Sequence, residues 1–277
     1  MHSALLPDNK VVTAKNYDID VHGYSIRCID SHCNVPVIFV GEGNGLTAHF
    51  KTTGKNDSVH RPGCGFAKKL TFHESVAKVQ QYQDHLQSHG LREIPIKLNF
   101  DKIDPDKPQR EAPEAGEKKD KPEKEIDESL LKDKDPTPKS ISSLKTIKKL
   151  FVSVEPDLLA GILVKVKGHA IPISQIICSQ ERAHELLWTE KALNVPYFIH
   201  GRVVRFIKLD KVWYITLDGG LFTIVIFEKH FKYFPYKEAD LIDKEILAVG
   251  LLKKNDYKEK QRSEIVIKSS DYIEFLN

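Results

Sequence analysis

The chain has 277 residues, 42 basic and 39 acidic side chains for a net charge of +3, and four cysteines. That length exceeds one average domain and fits two, and no apolar run approaches the roughly 18–20 residues that a membrane helix needs. The opening ten residues lack a basic segment ahead of an apolar core, so no secretory signal is expected; three clustered cysteines point to metal-bound thiolates in a reducing cytoplasm rather than to a disulfide framework.

Charge is unevenly spread. Residues 101–140 carry 10 basic and 13 acidic groups, whereas residues 1–100 carry 11 and 9, and residues 196–277 carry 14 and 12. Mild basicity in the patterned segments permits nucleic-acid binding without demanding it.

Val11–Ala14 and Tyr17–Val21 have the texture of short strands, and Tyr24–Arg27 alternates into Cys28. Val35–Val40 is an apolar strand, Gly41–Gly45 a turn, and Leu46–Phe50 the returning strand of a hairpin. A helix is expected from about Phe66 to Ser88. Leu70, Val76, Val79, Tyr82 and Leu86 recur at helical spacing, and Gly90 stops it.

The chemistry of this first region lies between Cys28 and Cys64. Cys28, Cys33, His60 and Cys64 supply three thiolates and an imidazole, the ligands that zinc prefers, and a structural zinc site is closed by four of them. The expected cofactor is therefore a structural Zn2+, with ligands from a turn before the hairpin and from the start of the helix. His49 and His32 stand as alternatives to His60. The paired cysteines, the strand ending in His49-Phe50 and the downstream His60…Cys64 resemble the zinc-binding N-terminal segment of competence protein CoiA-like proteins, over about residues 24–66. In that family a nuclease domain follows. Its carboxylate and Glu-x-Lys pattern is missing here: Asp157 precedes Val164-Lys165-Val166-Lys167, with no acid before the lysine. The resemblance thus implies a zinc knuckle without catalysis.

Residues 1–100 read as a zinc-binding α+β domain, and residues 101–140 as a flexible charged linker. Pro, Glu, Lys and Asp dominate the linker, aromatics are absent, and too little apolar surface is available to offset the entropy of ordering. Residues 141–195 read as a connecting α/β segment. Leu144, Ile147, Leu150 and Phe151 mark one helix, strands follow Gly161, and a second helix spans Ser179–Ala192. Cys178 sits among isoleucines as a core thiol.

Residues 196–277 carry the clearest fold signal. Tyr197–Lys208 (bending at Gly201), Val212–Asp218, Leu221–Phe227, Glu245–Lys253 and Glu264 to the C-terminus give five strands, with an insertion over Glu228–Asp243. That order is the order of an OB-fold barrel. The segment resembles the OB-fold nucleic-acid-binding modules found beside bacterial nucleases. On strand two, Trp213, Ile215 and Leu217 face the core while Tyr214 and Thr216 face out. Arg202 and Arg205 flank that outer face. Lys253, Lys254, Tyr257, Lys258 and Arg262 fall in or beside the loop that precedes the last strand, a mix suited to phosphate contacts and a stacked base.

The fold class is therefore α+β in several modules: zinc knuckle, charged linker, OB-fold barrel. No phosphate loop, nucleophile elbow or Ser-His-Asp set is visible. The expected function is non-catalytic: a bacterial or phage single-stranded DNA-binding protein, or an accessory subunit in DNA processing, repair or defence against mobile DNA. Nucleic acid is the expected partner, alongside a protein of a DNA-processing complex. A scaffold for protein partners is the first alternative, and a metal-dependent nuclease the second.

Overall fold

The computed structural model describes residues 1–43, 46–87, 94–107, 140–256 and 260–276. The fold is mixed α and β, and it divides into two compact units that are discontinuous in sequence. The first comprises Met1–Pro95, Lys149–Leu163 and Pro172–Ser174; the second comprises Ile96–Lys148, Val164–Ile171 and Gln175–Asn277. Of the segment read as a linker, residues 108–139 lie outside the described residues. Asp101–Ile103 form a single 3-10 turn with Ile103 buried.

In the first unit an antiparallel sheet runs in the order β2-β1-β3-β4-β5, from β1 (Ser3–Leu5), β2 (Val11–Thr13), β3 (Ile26–Cys28), β4 (Pro36–Val40) and β5 (His49–Lys51). β4 and β5 form the expected hairpin, with Phe39 opposite Phe50. Ala4, Val12, Ile26, Val37 and Phe50 fill the core on one face, and the thiols of Cys28, Cys33 and Cys64 join them. Tyr17–Val21, expected as a strand, turns into the short helix α1 (Ile19–His22). The cause is Asp18, whose carboxylate accepts the amide of Asp20 and caps the helix.

Helix α2 (Phe72–Gln87) begins six residues later than the apolar spacing suggested. Thr71 and Glu74 form a reciprocal capping box: Thr71 Oγ1 accepts from the Glu74 amide, and the Glu74 carboxylate accepts from the Thr71 amide. Val76, Val79, Tyr82 and Leu86 form its buried face. Helix α3 (Leu144–Ser153) places the Phe151 ring 5.5 Å from that of Phe72, and α4 (Pro156–Ala160) packs on α2.

In the second unit β6 (Ile94–Leu98) pairs in parallel with β7 (Ser140–Ile141) through Lys97 and Leu98. β8 (Ile162–Val166) and β9 (His169–Pro172) form a hairpin that turns at Lys167 and Gly168, both with positive φ. After α5 (Ile173–Ile176), β10 (Ile177–Ser179) leads into α6 (Gln180–Trp188), capped by Ser179 Oγ. The remaining strands are β11 (Pro196–Lys208), β12 (Val212–Leu217), β13 (Phe222–Phe227), β14 (Glu245–Leu251), β15 (Lys253–Asn255), β16 (Arg262–Ile267) and β17 (Ile273–Phe275). Helix α7 (Glu238–Leu241) lies in the insertion before β14.

Among the described residues these strands form one extended sheet in the path β15-β16-β13-β12-β11-β14-β17, with β10 parallel to β11, and not the closed barrel expected from the strand order. β11, β12 and β13 are an antiparallel meander, β13 pairs in parallel with β16, and β11 pairs antiparallel with β14. β11 carries a register irregularity against β12 between Val203 and Arg205. The C-terminal stretch is two strands with different partners, β16 and β17, separated by a 3-10 turn at Ser270–Tyr272. β14 and β16 come close at Gly250, where an added Cβ would lie 2.8 Å from Ile265 Cβ, so only glycine fits there.

Candidate metal centre

Cys28 ends β3, and the chain then turns back to β4 through Asp30–Asn34. The Cys33 and Asn34 amides both donate to the Asp30 carbonyl, and Asn34 takes a φ of 46°. The alternation of β3 buries Ile26 and Cys28 and leaves Arg27 outside. His60 and Cys64 come from a second turn, ahead of α2 and not from its first turn, because the helix starts only after the cap at Thr71.

These two turns bring four ligand atoms together, all within 4.8 Å of one another. Cys28 Sγ is 3.7 Å from Cys64 Sγ. His60 Nδ1 is 3.5 Å from Cys33 Sγ and 3.4 Å from Cys64 Sγ. An ion bound tetrahedrally at about 2.3 Å from sulfur and about 2.0–2.1 Å from nitrogen requires ligand edges of about 3.8 Å (S···S) and about 3.6 Å (S···N). Three of the edges thus lie close to those of a four-coordinate site, the rest lie within 4.8 Å, and the cluster can hold a metal ion. His49, the first alternative ligand, instead lies against the Thr47 carbonyl at 2.8 Å, and His32 is exposed beside Gln81.

Without an ion the four groups share protons unequally. A hydrogen bond with Cys64, reinforced by burial, pushes the Cys28 thiol up, and the same bond holds Cys64 down. Burial raises Cys33 and keeps the His60 imidazole below its ordinary value, and so neutral. A bound cation would replace the protons that these thiols carry. Backbone amides also point at the sulfurs: Arg61 N–H donates to Cys33 Sγ and Phe66 N–H to Cys64 Sγ, each at 3.4 Å.

A buried carboxylate holds the two ligand turns together. Asp30, fully buried, accepts from Gly65 N–H (3.0 Å), Tyr82 Oη (2.7 Å) and Lys78 Nζ (2.7 Å) through one oxygen, and from His32 N–H (3.1 Å) through the other. Burial alone would raise its pKa; the Lys78, Tyr82 and Gly65 hydrogen bonds outweigh burial and hold the carboxyl below the ordinary range. This outer layer fixes ligand orientation in the way metal sites commonly require. Nothing in the spacing of Asp30, Lys78 and Tyr82 marks them as a set; the only sequence signal is an acid placed between two candidate ligand cysteines.

The residues expected at a nucleic-acid surface belong to the second unit. Arg202 and Arg205 are exposed on β11, opposite Glu245 and Thr216. Tyr214 and Thr216 are half-buried on β12 while Ile215 and Leu217 are buried. The register gives a continuous cross-strand row Arg205–Thr216–Thr223–Glu264–Lys253, with Tyr214 in the next row between Ile207 and Val225. Lys254 is paired with Glu190 at 3.6 Å and lies over the Trp188 ring, and exposed Arg262 sits opposite Asn255. Tyr257 and Lys258 lie outside the described residues. Trp213, expected in the core, is only half-buried, like Tyr214; it stacks on Phe231 at 4.0 Å with Lys208 over its ring.

Two further groups have structural settings. Asp157 is buried and accepts the amides of His2 (2.6 Å) and Ser3 (2.8 Å). Cys178 is 1% exposed on β10, and burial pushes its thiol up to about 12, the behaviour of a core thiol. Among the described residues, Cys28, Cys33, His60 and Cys64 form the one group of three or more Cys, His, Asp or Glu side chains able to hold a metal. No protein-family model matches the chain, and no curated protein matches it. No helix of the described residues is long and apolar enough to cross a membrane.

Proposed function

We propose that the chain is a non-catalytic, cytoplasmic single-stranded DNA-binding protein, an accessory subunit of DNA processing, repair or defence against mobile DNA. Its CoiA-like knuckle is stapled by a structural Zn2+, and its OB-type module reads the strand. Three thiolates and one neutral imidazole select zinc over harder cations, and four protein ligands suit a structural role better than a catalytic one.

The observation that carries the DNA-binding reading is the pairing scheme of the second unit. A meander of three strands, a parallel pairing of the third with β16, and an antiparallel pairing of the first with β14 support an OB-type reading of this sheet. Only Leu252 separates β14 from β15, and β15 pairs antiparallel with β16. On the outer face of strands one and two, where such folds bind single strands, stand Arg205, Tyr214 and Thr216. An aromatic ring beside a cation and a hydroxyl suits one stacked base and its phosphate.

The test is fluorescence anisotropy of the full-length, zinc-loaded protein with a labelled single-stranded oligonucleotide across a salt series. Binding should weaken steeply with salt, and Tyr214→Ala should cost about 1–3 kcal/mol, the value of one base–aromatic stack. Affinity no better than millimolar at low salt, or a Tyr214→Ala/Arg205→Ala protein indistinguishable from wild type, would defeat the proposal and favour the scaffold alternative.

A further inference from the structure

An open groove of about 410 Å³ lies on the first unit, lined by Arg27, Ser31, Asn34, Pro36, Asp57 and Arg61 among others. Every one of these residues except Asp57 lies in, or directly beside, the segments that carry the metal ligands. Arg27 precedes Cys28 in β3 and faces out opposite Pro36. Ser31 and Asn34 belong to the turn through Cys33, and Arg61 follows His60. The Arg61 amide donates to Cys33 Sγ, so the metal cluster fixes the backbone from which this side chain projects.

Both arginines are exposed. Among the described residues, neither guanidinium is placed in an ion pair or hydrogen bond, whereas Lys68, Lys78, Lys148, Arg182 and Lys268 each sit within 4.0 Å of an acid. Asp57 is the one acid in the groove lining. Two guanidinium forks free of acids, with the Ser31 hydroxyl and the Asn34 amide in the same lining, suit the oxygens of a phosphate.

We propose that this groove is a phosphodiester-binding site: the knuckle makes its own contact with single-stranded DNA, through Arg27 and Arg61, and the metal cluster holds that contact in shape. The inference rests on the DNA-binding reading above but uses residues that the reading does not. Two phosphate contacts on a single strand should contribute about 1.4 to the salt slope of log affinity.

The experiment uses full-length zinc-loaded protein and the same labelled oligonucleotide. R27A/R61A is expected to bind about tenfold more weakly at low salt with a slope shallower by about 1.4, while K51A/K69A, which removes two exposed lysines outside the groove lining, moves the slope by less than about half of that. Asp57→Asn, which removes the repelling acid from an exposed position, is expected to tighten binding about twofold or more. If R27A/R61A keeps the wild-type affinity and slope, or K51A/K69A changes them as much, the inference falls. The DNA-binding reading then survives on its Tyr214 result. If wild type binds no oligonucleotide, both fall. Should R27A/R61A lose its metal, Asp57→Asn decides alone: tightening upholds the site and an unchanged affinity overturns it.

Discussion

Replacing Asp30 with Asn tests whether one buried carboxylate holds the metal knuckle together. The side chain is fully buried and accepts four hydrogen bonds, one of them from the Lys78 ammonium, whose side chain is 17% exposed. Asparagine keeps the shape but loses the charge, and with its oxygen turned to Lys78, Tyr82 and Gly65 it sets an NH2 donor against the His32 amide. Removing one partner of a buried ion pair costs about 3–5 kcal/mol. Lys78 can partly reach water, so the lower end applies, about 3 kcal/mol, and the midpoint for melting the first unit should fall by roughly 10–20 °C. Calorimetry of the zinc-saturated protein gives this number directly. Lys78→Met in the Asp30→Asn background should recover part of the loss, because it removes the stranded cation, with a coupling of at least about 1 kcal/mol in the double-mutant cycle. A drop of under about 3 °C for Asp30→Asn, or purely additive single substitutions, would show that the carboxylate is incidental.

Three further outcomes are expected. Purified protein should carry one equivalent of zinc, and Cys33→Ser or a chelator should remove it; the first unit should then lose its melting transition while the second keeps its own, as followed by circular dichroism. Gly250→Val should destabilise the second unit by about 1–3 kcal/mol in a denaturant titration, because its Cβ would lie 2.8 Å from Ile265 Cβ. His230 is 2% exposed, and burial lowers its pKa although Asp106 opposes this from 3.7 Å. It is neutral in the fold, and the unfolded chain takes up the proton first. Stability should therefore decline as pH falls below about 6.5, and His230→Phe should flatten that decline.

The parts of this fold that could be read in the sequence are those that depend on local pattern. The alternation in β12 placed Ile215 and Leu217 inside, and the chemistry of three thiols and one imidazole singled out the metal ligands. Other features depend on partners distant in the chain. Asp30 looks like any turn residue until α2 brings Lys78 and Tyr82 to it, 48 and 52 positions away. The parallel pairing of β10 with β11 is equally silent, since a buried run such as Ile176–Cys178 reads the same in a helix or a strand. Asp18 is a helix cap, and Thr71-Phe72-His73-Glu74 is a capping box; both carry a start signal that the apolar spacing alone misses.

The split composition of the first unit has a consequence for the order of events during synthesis. Its early strands finish their hydrogen bonding only on Asp157, which takes the amides of His2 and Ser3, and Gln83 of α2 receives the hydroxyl of Ser174. The knuckle can collect its metal once Cys64 has emerged, yet its unit stays incomplete until residue 174 leaves the ribosome. At about 5–20 residues per second that wait is roughly 5–20 s. Early metal binding would give the nascent chain a local anchor throughout that interval.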